Sequence, residues 1–169
     1  MLISVPRETA LGERRVALVP ESCKKLIQAG YAVAIESGAG DGAYLSDHAY
    51  REVGVAVEGD PAALLSKADV VLRVNAPPVG GAPGGGRNEV EWMRPGAVLL
   101  GSLMPLRNLD VVRALAARGI TAFSTDAIPR TTRAQSMDTL SSMASIAGYR
   151  GVLLAAAELP KYFPMLMTA

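Results

Sequence analysis

The spacing of apolar residues changes repeatedly along the chain. Short β-rich apolar runs alternate with segments whose apolar residues recur at three-and-four spacing. The pattern predicts strands at Leu2–Val5 and over residues 31–36, 55–57, 69–74, 97–101 and 120–124. It predicts helices over residues 20–29, 47–53, 61–67, 108–118 and 136 to about 158. Pro20 suits a first helical position, and Cys23, Leu26 and Ile27 then share one face. Gly30, Gly54 and Gly119 supply helix stops, Ser136 is the expected cap of the last helix, and Pro160 disturbs its end. Strands alternating with helices imply a doubly wound, mostly parallel α/β sheet with helices on both faces, Rossmann-like or flavodoxin-like, followed by a long C-terminal helix. Residues 1–169 are expected to form a single α/β domain. Residues 77–88, rich in Gly and Pro and without apolar periodicity, read as a flexible surface loop.

Composition narrows the class of function. Half of the 169 residues are hydrophobic and the formal net charge is +1, so the charge balance offers no case for nucleic acid or an anionic membrane. The longest purely apolar run, residues 152–157, is far short of the ~20 residues of a membrane span. The start runs straight into Pro6, Arg7 and Glu8, unlike a secretory signal. Cys23 is the one cysteine, expected to be buried; His48 is the one histidine, expected to be exposed on a short helix. No metal-ligand spacing is present, and no Ser/His/Asp set can be assembled. Met137 and Met143 read as packing residues, and Met165 and Met167 as contacts to something outside this chain.

Three stretches could carry chemistry. Residues 38–43 fit a G-x-G-x-x-A pattern after a strand, with Glu58 near the place of a ribose-binding acid. The helix expected to follow starts too late, at Ser46 or Asp47, and Asp41 would sit among the phosphates, so a tight glycine turn is the better reading. Arg7, Glu8, Glu13, Arg14 and Arg15 follow the first strand at the edge where open α/β sheets bind ligands. They could hold a carboxylate or phosphate, or form a solvated charged loop, and spacing favours the loop. The third stretch is residues 130–142. Gln135, Asp138 and Ser141 are spaced by three at a helix start, flanked by Arg130 and Arg133. An amide, a carboxylate, a hydroxyl and a guanidinium at one spot suit a carboxamide, with acceptors for its NH2 and donors for its carbonyl. An ordinary helix cap with surface polar residues fits the spacing equally well.

SVPRE (4–8), ERRVALVP (13–20), ESGAG (36–40), RVNAP (73–77), residues 130–142 and IAGYR (146–150) recur in an order that resembles the NAD(H)-binding alpha component of proton-translocating NAD(P) transhydrogenase. The resemblance spans essentially the whole chain. It implies that Arg130, Gln135, Asp138 and Ser141 contact the nicotinamide of NAD(H), with Gln135 and Asp138 closest to the chemistry, and that hydride passes directly to NADP+ on a partner domain. It further implies NADP(H)-binding and membrane-spanning partner components and a homodimer. It places the protein in the cytoplasm, at the inner membrane through those partners, without insertion of its own. The family's second domain, with the Gly-rich dinucleotide fingerprint, is missing from this chain, so the chain looks like a fragment that is inactive alone and binds NADH weakly or not at all.

Alanine dehydrogenases are similar over the same half, and they use a lysine and a histidine on pyruvate. Asn75 stands where that lysine would be, and no histidine lies near residues 102–105. Arg15 alone cannot run reductive amination, which leaves it as a relic or a minor contact. A non-catalytic docking or dimerisation module is the remaining alternative.

Overall fold

The computed structural model describes residues 1–80 and 87–163, which fall into two compact units divided between Ala127 and Ile128. Unit 1 carries six strands: β1 (Leu2–Val5), β2 (Ala32–Glu36), β3 (Ala56–Glu58), β4 (Val70–Asn75), β5 (Val98–Ser102) and β6 (Thr121–Ser124). Its helices are α1 (Pro20–Gln28), α2 (Asp47–Glu52), α3 (Pro61–Ser66), α4 (Glu89–Trp92) and α5 (Leu109–Arg118). All pairings are parallel, in the order β3-β2-β1-β4-β5-β6. This is the Rossmann order, and it decides between the two arrangements the alternating pattern allowed.

Strand pairing begins one residue later than expected in five strands. Val55, Ala97 and Ile120 are apolar and buried, yet they lie just before the paired residues. Burial follows the apolar pattern, whereas pairing follows the neighbouring strand, so the two boundaries differ.

Two apolar clusters cover opposite faces of the sheet. Val5, Cys23, Val33, Ile35 and Tyr50 pack with Leu26 and Ile27 under α1 and α2. Leu65, Val71, Val90, Leu99, Val111 and Leu115 pack under α3, α4 and α5. Adjacent residues of β4 divide between them: Val71 belongs to the second cluster and Leu72 packs on the first, as the two-residue period of a strand requires. Cover is incomplete toward β6, where Leu100 and Phe123 remain exposed.

Local signals account for the helix starts. Pro20 occupies the first turn of α1, Ser46 accepts from Ala49 N–H to cap α2, and Asp60 accepts from Ala62 N–H to cap α3. Gly119, at φ 71°, ends α5 in the left-handed conformation. The short helix α4 was not anticipated. It follows the 77–88 stretch, of which residues 81–86 lie outside the described residues; Pro77, expected in a surface loop, is instead fully buried.

Unit 2 contains a 3₁₀ segment, Thr132–Met137, and the helix α6, Thr139–Glu158. The helix begins three residues after Ser136, and its cap is Asp138, whose side chain accepts from Ser141 N–H. The tighter 3₁₀ turn uses up residues 132–137, so the first α-helical turn is set by the next residue able to cap it. No residue of α6 is buried, and Met137 and Met143 are exposed rather than packed. By length and composition alone α6 could cross a membrane, but Arg150 stands at its middle. Met165 and Met167 lie outside the described residues.

Candidate functional site

The glycine stretch after β2 forms a turn. Residues Asp41–Ala43 make a single 3₁₀ turn, and α2 starts only at Asp47. A Cβ on Gly40 would lie 2.4 Å from the Leu45 carbonyl oxygen, and one on Gly42 would lie 2.9 Å from the backbone of Arg14. These glycines therefore serve close packing of loop on loop. Glu58 accepts from the nearby Asp60 N–H (3.2 Å) and so acts locally.

The residues after β1 form a bonded network, contrary to the expected solvated loop. Glu8 is buried; it accepts from Arg73 Nη2 (2.9 Å), Val74 N–H (2.7 Å) and Asn75 Nδ2 (3.3 Å). Arg73, equally buried, also donates to Glu89 at the start of α4. Burial opposes the charge of Arg73, but Glu89 and Glu8 outweigh it and hold its pKa up; burial pushes the Glu89 carboxyl up in turn. Glu36, at the end of β2, accepts from Arg7 N–H (2.9 Å) and pairs with Arg87 (2.7 Å). Sequence reading missed Arg73, Glu89 and Glu36 because their partners lie 16 to 65 residues away.

One edge of the Arg15 guanidinium is taken up by Glu13. Its Nε and Nη2 both donate to Glu13, at 2.8 and 2.6 Å, and Asn75 Nδ2 donates to the same carboxylate at 2.8 Å. These bonds, the one from Arg15 foremost, lower the Glu13 pKa to about 2. Cys23 and His48 are placed as expected. Cys23 is buried, with burial raising its thiol to about 11, and His48 is exposed.

A second feature of unit 1 was also missed. Asp126 accepts from Ser102 Oγ (3.3 Å), from Met104 N–H (3.2 Å) and from Ser124 Oγ, beside an open cavity of about 340 Å3 whose walls include Leu106 and Arg107. Met104 there takes a left-handed backbone, φ 45°, that non-glycine residues seldom adopt. Among the described residues, no group of three or more His, Cys, Asp or Glu side chains stands where it could hold a metal ion.

In unit 2, Arg130, Thr131, Thr132, Ala134, Gln135 and Asp138 line a cavity of about 210 Å3. Three of the four residues expected at a nicotinamide site are thus brought together, along with two threonines that spacing did not single out. Ser141 is not among the lining residues. It stands behind Asp138, donating N–H to Oδ1 (2.9 Å) and Oγ–H to Oδ2 (2.7 Å). Those bonds and the charge of Arg130 keep the Asp138 carboxyl below its ordinary range. The donor set fits a carboxamide, with a guanidinium for its carbonyl and a carboxylate for its NH2. The volume is below the ~300 Å3 of ordinary small-molecule pockets, so it has room for a ring-sized group.

A family model described as alanine dehydrogenase/PNT, N-terminal domain, matches residues 4–147. The chain is 45% identical over all 169 residues to a protein of the NAD(P) transhydrogenase alpha subunit in Rhodospirillum rubrum, covering 43% of that protein. It is 30% identical over 156 residues to "Alanine dehydrogenase 1" of Staphylococcus aureus, with 92% of this chain aligned to 38% of the relative. The crystal structure of a transhydrogenase from Sinorhizobium meliloti superposes with a TM-score of 0.87 at 39% identity, over the whole of this chain and 48% of that one. The chain thus spans less than half the length of these relatives.

Proposed function

The chain belongs to the alanine dehydrogenase/PNT family as its N-terminal domain, and from that premise we propose that it is a component of a proton-translocating NAD(P) transhydrogenase. The observation that carries this reading is the small polar cavity walled by Arg130, Gln135 and Asp138. In this proposal the cavity receives the nicotinamide end of NAD(H), and a second domain of the full-length protein holds the rest of the dinucleotide. The cofactors supply the hydride chemistry, passing it from ring to ring. The residues of this chain supply placement: Arg130 and Asp138 orient the carboxamide, and Gln135 holds the ring toward NADP(H) on a partner domain. Hydride transfer needs no general acid or base, in keeping with the scarcity of histidine. The partners are an NADP(H)-binding and a membrane-spanning component, the assembly contains two copies of this chain, and it lies on the cytoplasmic side of the inner membrane.

An alanine dehydrogenase reading is disfavoured by the Glu13 network. Asn75 takes the place of the lysine used on pyruvate, and its Nδ2 donates to Glu13. Replacing Gln135 with Ala in the full-length protein tests the proposal. Hydride transfer should fall by about a hundredfold, the scale of a misplacement of about 1 Å, with the fold intact. Unchanged transfer would favour a docking module.

A further inference from the structure

We propose that the cavity of unit 1 beside Asp126 binds a free α-amino acid with an apolar side chain. The proposal rests on residues 102–108 and 124–127 alone and does not depend on the nicotinamide reading.

The turn after β5 is closely held. Met104 keeps a left-handed backbone, φ 45°, although its side chain disfavours it. Its N–H donates to Asp126 (3.2 Å), and its carbonyl accepts from the N–H groups of Arg107 (2.9 Å) and Asn108 (3.1 Å). Leu103 donates its N–H to Ser124 Oγ (3.1 Å) and accepts from Asn108 Nδ2 (2.8 Å). Strained backbone held by this many bonds clusters at functional sites. Here it fixes a wall, with Met104, Pro105, Leu106 and Arg107 on one stretch and Asp126 on another, around about 340 Å3. That volume falls in the range of small-molecule pockets.

Three features of the wall define the ligand. Asp126 gives only Oδ1 to the turn, accepting there from Ser102, Met104 and Ser124, so among the described residues Oδ2 is left as an acceptor. Burial opposes its charge, but those bonds outweigh it and keep the carboxyl below its ordinary range. Arg107 supplies a cation, and among the described residues it pairs with no acid, Asp126 included. Leu106, 92% exposed, and the exposed Met104 supply apolar surface. A simple anion would satisfy Arg107 and meet the charge of Asp126, and a simple amine would do the reverse. An uncharged apolar molecule would cover both charges unpaired. A zwitterion with an apolar tail satisfies all three, with its ammonium on Asp126 Oδ2, its carboxylate on Arg107 and its side chain on Leu106 and Met104.

The test is calorimetry on the full-length protein with three probes. L-Leucine carries both charges, 4-methylpentanoate lacks the ammonium and isoamylamine lacks the carboxylate. L-Leucine should bind saturably, and each analogue should bind about tenfold more weakly or worse, the scale of a lost hydrogen bond between charged groups. Asp126→Asn keeps an amide oxygen for the three donors of the turn and removes the charge, so it should weaken L-leucine about tenfold. Arg107→Gln changes an exposed side chain that holds nothing in the turn; it should weaken L-leucine by a similar factor and leave the melting temperature unchanged. No saturable binding of L-leucine at millimolar concentration would overturn the proposal. So would equal binding of the three probes, or an L-leucine affinity that either variant leaves unchanged.

Discussion

Arg73 shows how strongly one buried charge depends on residues distant in sequence. It is sandwiched between Glu8 and Glu89, all three nearly inaccessible to water. Removing the cation strands two carboxylates in the interior, so Arg73→Leu should destabilise unit 1 by about 3–5 kcal/mol in urea denaturation. Glu13 makes the opposite, partly exposed case. Its folded pKa of about 2 lies below the ordinary 4.5, so its contribution is complete above about pH 4.5 and is lost as pH falls to about 2. Near neutrality Glu13→Gln should cost about 1–3 kcal/mol, the scale of hydrogen bonds to a charged group. The gap between variant and wild type in thermal melts should close over that acid window; a pH-independent gap would show that the charge is not what matters. Only the residue types of these networks were legible in the sequence. Glu8 and Glu13 stand in a charged cluster that looks solvated until β4 brings Arg73 and Asn75 alongside.

Elements were legible where a local signal decides them. Pro20, Ser46, Asp60 and Gly119 each act within a few residues, and the helices they bound form where the apolar spacing predicts. The start of α6 shows the limit of such signals. Ser136 and Asp138 are both good caps, and the 3₁₀ turn before them selects Asp138. Asp138→Ala should therefore weaken the first turn of α6, seen as faster amide exchange over its first residues, whereas Ser136→Ala should leave that exchange unchanged. The turn after β2 is similarly constrained: Gly40→Ala places a methyl against the Leu45 carbonyl and Tyr50, and should lower stability by about 1–3 kcal/mol. A membrane-spanning role for α6 conflicts with Arg150, which at mid-bilayer would cost about 2.5–3.5 kcal/mol on insertion scales.

At the scale of the whole molecule, the chain covers 43% of its Rhodospirillum relative, and its polar cavity of about 210 Å3 is the size of a ring. The chain alone should therefore bind NADH more weakly than micromolar in calorimetry; micromolar binding would sink the proposal that a second domain supplies most of the cofactor contacts. The alternation of strands and helices, the capping residues and the cluster of polar types at 130–141 were determined by the sequence itself, because periodicity, capping and turn chemistry act over a few residues. The strand order, the burial of Glu8, Arg73 and Glu89 and the bond from Asn75 to Glu13 were decided only by the tertiary structure. Each depends on which groups meet across the fold or within one turn, and on where their hydrogens then go, which spacing along a chain does not specify.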